Sequence, residues 1–356
     1  MTDVSILFLG GLFCGLLAGA AAQFGRLCTF SAIEDAIMAG DYRRARAFAL
    51  ALATALFLTQ TLASFKLINL TGNPYQQPQI ELAGLVIGAS LFGFGMALVG
   101  TCAFGILIRA GTGDMRAVVT AGVLGVSAAA ATGGLLAPPR LWLANLITLP
   151  TEALGWDATQ KTARELLGLT ANTAVTVFVV SALLVLIFRS ARFRKRFRLI
   201  VAGILLGVAV TSGWVVTGTL TDPFGIHRLE SLTFVGPIAR VVLLTMGETI
   251  YLATFAVCSV LGVTIGSFAV AWQRDELRWE AFDDPREMRR HILGAILMGF
   301  GGVLSKGCTI GQGLSAASTL AVTAPLAIAF MILGAWAGLS YLVGDIQPFT
   351  RWLKKR

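Results

Sequence analysis

Three cysteines stand in related settings. Cys28 lies in Gly25-Arg26-Leu27-Cys28-Thr29-Phe30, Cys102 in Gly100-Thr101-Cys102-Ala103-Phe104-Gly105, and Cys308 in Lys306-Gly307-Cys308-Thr309-Ile310-Gly311. A thiol is a weak S–H donor, and its thiolate is a nucleophile. Three of them along one axis point to a path for a soft, sulfur-containing solute. Gly100, Gly105, Gly307 and Gly311 bracket two of the cysteines, where a helix has to stop and expose backbone N–H groups. Those donors, at the positive end of the short helix that follows, suit an anion. Lys306 beside Cys308 and Arg26 beside Cys28 strengthen that reading.

The bland alternative is that a buried free cysteine is only a small hydrophobe. Cys14 and Cys258, in mid-segment with no break nearby, fit it. Five cysteines without a C-x-x-C exclude zinc-finger and dithiol motifs. His227 and His291 sit at segment edges without a metal-ligand cluster. There is no phosphate-binding loop, hence no ATP motor within the chain, and no cofactor is expected. Arg109 and Arg240 lie near predicted breaks, either as interfacial anchors or as an electropositive entrance. Glu248 is eight residues beyond Arg240 and within reach of pairing with it. Glu34 and Asp35 follow Cys28 on a short helix and are assigned no proton-relay role.

A repeat positions two of the cysteines. Gly88 to Gly105 and Gly294 to Gly311 align without a gap, 206 positions apart, with 9 identities in 18 positions. Each copy is an apolar, glycine-studded helix that breaks at a cysteine. Gly93, Gly95, Gly299, Gly301 and Gly302 within them read as close-packing positions.

The whole chain is 56% hydrophobic and 13% charged, with mean hydropathy +0.78. A soluble domain carries about twice that share of charge. Apolar runs of about 20 residues recur, where a barrel would show short alternating segments. The expected fold is therefore an all-α polytopic membrane domain. Nine spans are predicted near 4–22, 47–69, 80–101, 115–137, 171–190, 199–220, 248–272, 291–305 and 323–344. The first reads as a retained span rather than a cleaved leader. Pieces at 30–39, 103–110, 232–244 and 311–320 are too short or broken to cross. The expected organisation is two halves, 1–170 and 199–344, joined by the basic connection 189–198.

The net charge of +9 does not indicate nucleic-acid binding, because 20 of the 28 basic residues fall in alternate connections. These are the neighbourhoods of Arg43, Arg109, Arg192, Arg289 and Lys354. The positive-inside rule makes that side cytoplasmic, with the N-terminus outside and the C-terminus inside. The two copies of the repeat then run in opposite directions. Gly11-Leu12-Phe13-Cys14-Gly15 and Gly203-Ile204-Leu205-Leu206-Gly207 form a weaker echo of the same relation. Inverted repeats with interrupted helices place a site near the bilayer midplane. Cys102 and Cys308 are expected to approach each other there.

The three cysteine motifs, Lys306-Gly307-Cys308-Thr309-x-Gly311 above all, resemble those of the YeeE/YedE family of bacterial sulfur transporters, which includes thiosulfate permeases. The likeness runs over nearly the whole chain. It implies an hourglass-like, pseudo-two-fold arrangement of spans and half-helices in the bacterial inner membrane, and thiosulfate uptake into the cytoplasm. It implies that Cys28, Cys102 and Cys308 act as relay points through S–H···S contacts. It also implies a TusA-like cytoplasmic sulfur-carrier partner. The site expected on both grounds comprises the three cysteines with Arg26, Gly100, Thr101, Gly105, Lys306, Gly307, Thr309 and Gly311. Two rivals stand beside the permease: a membrane-embedded thiol sulfurtransferase working through a persulfide, and a transporter of another sulfur or selenium anion. The absence of a resolving C-x-x-C and of any cofactor motif favours transport over catalysis.

Overall fold

The computed structural model describes residues 2–68, 70, 73–76, 79–150, 171–219, 229–247 and 254–344. His227, Glu248 and the basic residues at 351–356 lie outside them. In chain order the helices are α1 (Thr2–Gly25), α2 (Thr29–Glu34, widening into a π turn at Asp35–Ala39), α3 (Arg43–Ser64), α4 (Leu82–Val99), α5 (Ala103–Gly111), α6 (Met115–Gly133) and α7 (Ala137–Asn145). There follow α8 (Ala171–Phe188), α9 (Ala191–Arg194), α10 (Phe197–Thr219), α11 (Val235–Thr245), α12 (Phe255–Gln273), α13 (Pro285–Leu304), a π-helical segment (Gly311–Ala316) and α14 (Thr323–Val343).

Seven helical segments among the described residues are long and apolar enough to cross a membrane. The expected spans at 171–190 and 291–305 coincide with α8 and α13. The first is a shorter apolar helix in its described part. The second begins earlier than expected, at Pro285, behind an Asp284 cap whose side chain accepts from the Arg286 N–H, so its first turns carry charge. The four short pieces appear as α2 with its π turn, α5, α11 and the π segment. An all-helical fold needs one correction. Strands β1 (Gln79–Glu81) and β2 (Thr148–Pro150) pair antiparallel, with Ile80 opposite Leu149. These residues lie in connections without helical periodicity.

Glycine lets helix backbones touch, and those contacts reveal relative direction. A Cβ on Gly11, Gly15 or Gly19 would come within 2.3, 2.1 or 2.2 Å of the carbonyl oxygens of Phe255, Ser259 and Val263. The positions advance together, so α1 and α12 are parallel. Gly203 and Gly207 meet the carbonyls of Ala47 and Ala51 in the same way, making α3 and α10 parallel. The duplicated helices behave oppositely. Gly88 faces the Gly301 carbonyl and Gly95 faces the Gly294 carbonyl, at 2.8 and 2.6 Å from an added Cβ. Hence α4 and α13, the two copies, pack directly on each other and antiparallel. Without water's help, such van der Waals contact between small residues is what joins helices in a bilayer.

Large apolar side chains such as Leu9, Phe13, Phe57, Val126 and Leu333 face outward, as a lipid-facing surface requires. At one end of the bundle the α5–α6 and α12–α13 connections meet. Arg278 N–H donates to the Thr112 carbonyl, Met115 N–H donates to the Glu280 carbonyl, and Arg116 ion-pairs with Asp114, Glu280 and Glu287. At the other end lie the β1–β2 pair and the loop holding Tyr75, whose neighbour Gln76 donates to the Thr319 carbonyl at 2.8 Å.

Candidate functional site

All three cysteines occupy one local structure. The carbonyl of Cys28 accepts from Ala32 N–H at 3.0 Å, that of Cys102 from Ile106 at 2.9 Å, and that of Cys308 from Gln312 at 2.8 Å. Cys28 and Cys102 are thus the N-cap residues of α2 and α5, while Cys308 opens a turn that leads through Ile310 into the π segment. Two positions before each cysteine the backbone is left-handed: φ is 49° at Arg26, 75° at Gly100 and 56° at Lys306. In two cases the preceding helix ends in the same motif. Leu27 N–H donates back to Ala22, and Gly307 N–H donates back to Gly302. This six-to-one closure normally carries glycine at the left-handed position. Arg26 and Lys306 hold that conformation with a Cβ, at a cost of about 1 kcal/mol each. Two motifs therefore place a cation where local backbone preference calls for glycine.

The caps use sulfur as acceptor. Gly105 N–H donates to Cys102 Sγ at 3.3 Å, and Gly311 N–H donates to Cys308 Sγ at 3.4 Å. The sequence reading left these first-turn donors open to a solute. The thiols themselves hold them here, which orients each sulfur at the positive end of its segment. The two glycines also make room. A Cβ on Gly105 would fall 2.1 Å from Thr101 Oγ1 and 3.1 Å from Cys28 Sγ, and one on Gly311 would fall 2.7 Å from Thr233 Oγ1 and 3.3 Å from Tyr75 Oη.

Cys28 and Cys102 touch. Their sulfurs are 3.9 Å apart, and the Thr101 hydroxyl lies 3.3 Å from Cys28 Sγ. The sulfur that meets Cys102 is thus that of Cys28, where the sequence brought Cys102 toward Cys308. Cys308 connects to the pair through neighbours, since the Thr29 hydroxyl donates to Thr309 Oγ1 at 3.1 Å. Cys102 and Cys308 are fully buried and Cys28 is half-buried. Cys14 and Cys258 are buried in the helix core, Cys14 against the Ser212 hydroxyl at 3.1 Å.

A cavity of about 340 Å³ opens at Lys306 and Gly307, the residues just before the fully buried Cys308. Tyr75, Glu230, Thr233, Arg240, Lys306 and Gly307 are among its lining residues. Lys306 Nζ is 3.0 Å from Glu81, and Arg240 is 3.8 Å from Glu230. Burial pushes the Tyr75 phenol above its ordinary range, so it remains a neutral hydroxyl, hydrogen-bonded with Thr233. A second cavity, of about 360 Å³, adjoins Thr29 and Thr309 but is otherwise lined by residues such as Ile33, Phe48, Leu314 and Met331. That lining would strip a divalent anion of hydration without replacing it.

At the opposite end Arg26 ion-pairs with Glu276 at 2.8 Å, and Gln23 donates to the same carboxylate at 3.0 Å. Arg109 donates to the Gly100 carbonyl at 3.3 Å, so it ties down one of the breaks. Asp35 pairs with Arg44 at 3.1 Å. Thus the structure brings together Cys28, Thr101, Cys102 and Gly105 in one group, and Lys306, Gly307, Cys308, Gly311 and the cavity in another, with Thr309 between them. Arg26 stands apart at the surface. Sequence reasoning missed Tyr75, Glu81, Glu230 and Thr233. Tyr75 and Glu230 lie in connections, Glu81 at the edge of an expected span and Thr233 in an expected short piece, and their only signal is polarity beside apolar residues.

A long-helix apolar bundle with cysteine-bearing breaks in its interior defines a polytopic helical membrane protein. Residues 24–337 match the family described as "Sulphur transport", and the chain belongs to that family, the YeeE/YedE proteins. Among curated relatives, the thiosulfate transporter TsuA of Escherichia coli (strain K12) is 27% identical over 364 residues, covering 95% of each chain. The thiosulfate transporter TsuA of Spirochaeta thermophila is 27% identical over 335 residues, covering 92% of this chain and 96% of its own.

Proposed function

We propose that this protein imports thiosulfate across the bacterial inner membrane into the cytoplasm. The observation that carries the reading is the common backbone geometry of the three cysteines, each two positions after a left-handed residue at a helix break, with Lys306 and Arg240 lining a cavity next to Cys308. The names of the relatives support thiosulfate as the substrate. Thiosulfate has an oxyanion end and a soft sulfur end. Lys306, Arg240, Tyr75 and Thr233 suit the first, through charge and hydroxyl donors. The S–H groups suit the second, which sulfate lacks.

In this reading the anion enters the cavity and displaces Glu81 or Glu230 from its cation. Its terminal sulfur then engages Cys308, passes Thr309 and Thr29, and reaches the Cys28–Cys102 pair before leaving near Arg26. The basic connections around Arg116 and Arg274 mark the cytoplasmic face, with the N-terminus periplasmic. The antiparallel packing of α4 on α13 supports two inverted halves, 1–170 and 199–344, joined by 189–198. The substrate path then lies where their broken helices meet. The cytoplasmic surface around Arg26 and Glu276 is the place for a TusA-like sulfur carrier to receive the ion.

The test is radiolabelled thiosulfate uptake in cells lacking other thiosulfate and sulfate importers, comparing wild type with Cys308→Ala at matched membrane expression. Uptake lost in the variant supports the thiol path. Uptake unchanged sinks it. Intact-mass measurement after exposure to thiosulfate separates transport from sulfurtransferase chemistry, since only the latter leaves added sulfur on a cysteine.

A further inference from the structure

We propose that Cys28 and Cys102 form a reversible dithiol–disulfide site whose oxidation locks α2 to the start of α5 and closes the path. The inference rests on the transport reading only for its consequence; the bond itself follows from geometry. The two sulfurs are already 3.9 Å apart. Both residues are extended N-caps, with φ, ψ of −134°, 131° and −88°, 169°, so their side chains project from segment ends rather than from helix interiors. Gly105 leaves open the space through which Cys28 Sγ reaches the pair. Bond formation needs the sulfurs to close to about 2.05 Å, and side-chain rotation within the two caps is the motion available.

Exposure assigns the order. Cys28 is half-buried and Cys102 fully buried, so a hydroperoxide reaches Cys28 first. The Cys28 thiol is oxidised to the sulfenic acid as the peroxide O–O bond breaks and one water leaves. The Cys102 sulfur then attacks the Cys28 sulfur, the S–OH bond breaks, and a second water leaves. In sum, two thiols and one hydrogen peroxide give one disulfide and two waters. A low-molecular-weight thiol reverses the bond by exchange. Disulfides facing a reducing cytosol are characteristically transient and sensing. Closed, the pair removes two S–H donors from the path together.

The experiment uses the full-length protein in membranes, with Cys14 and Cys258 replaced by serine to leave three thiols. Hydrogen peroxide is added, remaining thiols are alkylated, and peptides are mapped by mass spectrometry. The expected result is a cross-linked peptide pair containing Cys28 and Cys102, with Cys308 still alkylated. Dithiothreitol should remove the cross-link. Sulfinic acid at Cys28 without a cross-link overturns the proposal, as does a cross-link from Cys28 to Cys308. Thiosulfate uptake in the same vesicles should fall to background on oxidation and return on reduction. Unchanged uptake with the cross-link formed overturns the lock. If untreated vesicles take up no thiosulfate, the transport reading fails and the lock with it, while the mapped cross-link stands by itself.

Discussion

Cys28 and Cys102 are separated by 74 positions, yet their sulfurs lie 3.9 Å apart, each at the N-cap of a short helix. Neither helix is long enough to be stable alone. Both are held because α1 and α4 end three residues before the cysteines and the surrounding long helices pack around the breaks. The contact joins the two thiols in one group, and Cys308 lies in another, next to the cavity-lining Lys306 and Gly307.

That grouping predicts how substitutions combine. Cys28→Ala and Cys102→Ala should each abolish thiosulfate uptake, and the double variant should be no worse than either single one. Cys14→Ala and Cys258→Ala should keep uptake near wild type. The check is uptake normalised to membrane content; additive partial losses at Cys28 and Cys102 would contradict a shared station.

Gly105 should tolerate no side chain. A methyl group there would lie 2.1 Å from Thr101 Oγ1 and 3.1 Å from Cys28 Sγ. Gly105→Ala is expected to cost about 1–3 kcal/mol of stability as an overpacking change, and to lose uptake by displacing Cys28. Gly122→Ala is the control, because its added Cβ meets nothing within 4 Å. Thermal unfolding in detergent alongside uptake reads both effects.

The Lys306–Glu81 pair should set affinity. Its side chains are 35% and 28% exposed, so the pair itself contributes at most about 1 kcal/mol. Glu81→Gln is expected to remove one competitor for the Lys306 ammonium and lower KM for thiosulfate by a few-fold. Lys306→Met should raise KM. Lys306→Gly should relieve the left-handed strain yet lose affinity like the methionine variant. Equal KM in all four proteins would remove Lys306 from the substrate's path.

Acid should loosen the opposite end. Arg26 holds the Glu276 carboxyl below its ordinary range, against a smaller opposing effect of burial. A depressed carboxyl stabilises the fold above the ordinary glutamate range and loses that contribution as pH falls through its folded value. Wild type should therefore lose part of its thermal stability on acidification that Glu276→Gln never had. Superimposable stability–pH curves for the two proteins would refute the coupling.

Much of this architecture was legible in the chain. Apolar run length and low charge sufficed for a polytopic helical fold, because a bilayer leaves backbone polar groups no partner but each other. Glycines beside Cys102 and Cys308 marked true breaks, and the four pieces too short to span are short helices. The start of α13 was harder to see. Pro285 with four charged residues in the next turns reads as a connection, but the Asp284 cap extends the helix through it. Tyr75 and Thr233 were invisible, since polar residues in loops have no periodicity to betray which way they turn.

Hydropathy and repeat in the chain were enough for the membrane class, for the duplicated broken helix and for picking out three cysteines in related settings. These are local properties, set by hydropathy, repeat and backbone preference. Which thiols meet was left to the assembled fold. It packed α4 antiparallel on α13 through glycine backbones, seated Cys28 in the space left by Gly105, and gave Lys306 and Arg240 to a cavity beside Cys308. Contacts between segments far apart in the chain depend on how close two backbones can approach, and that distance is a property of the assembled bundle.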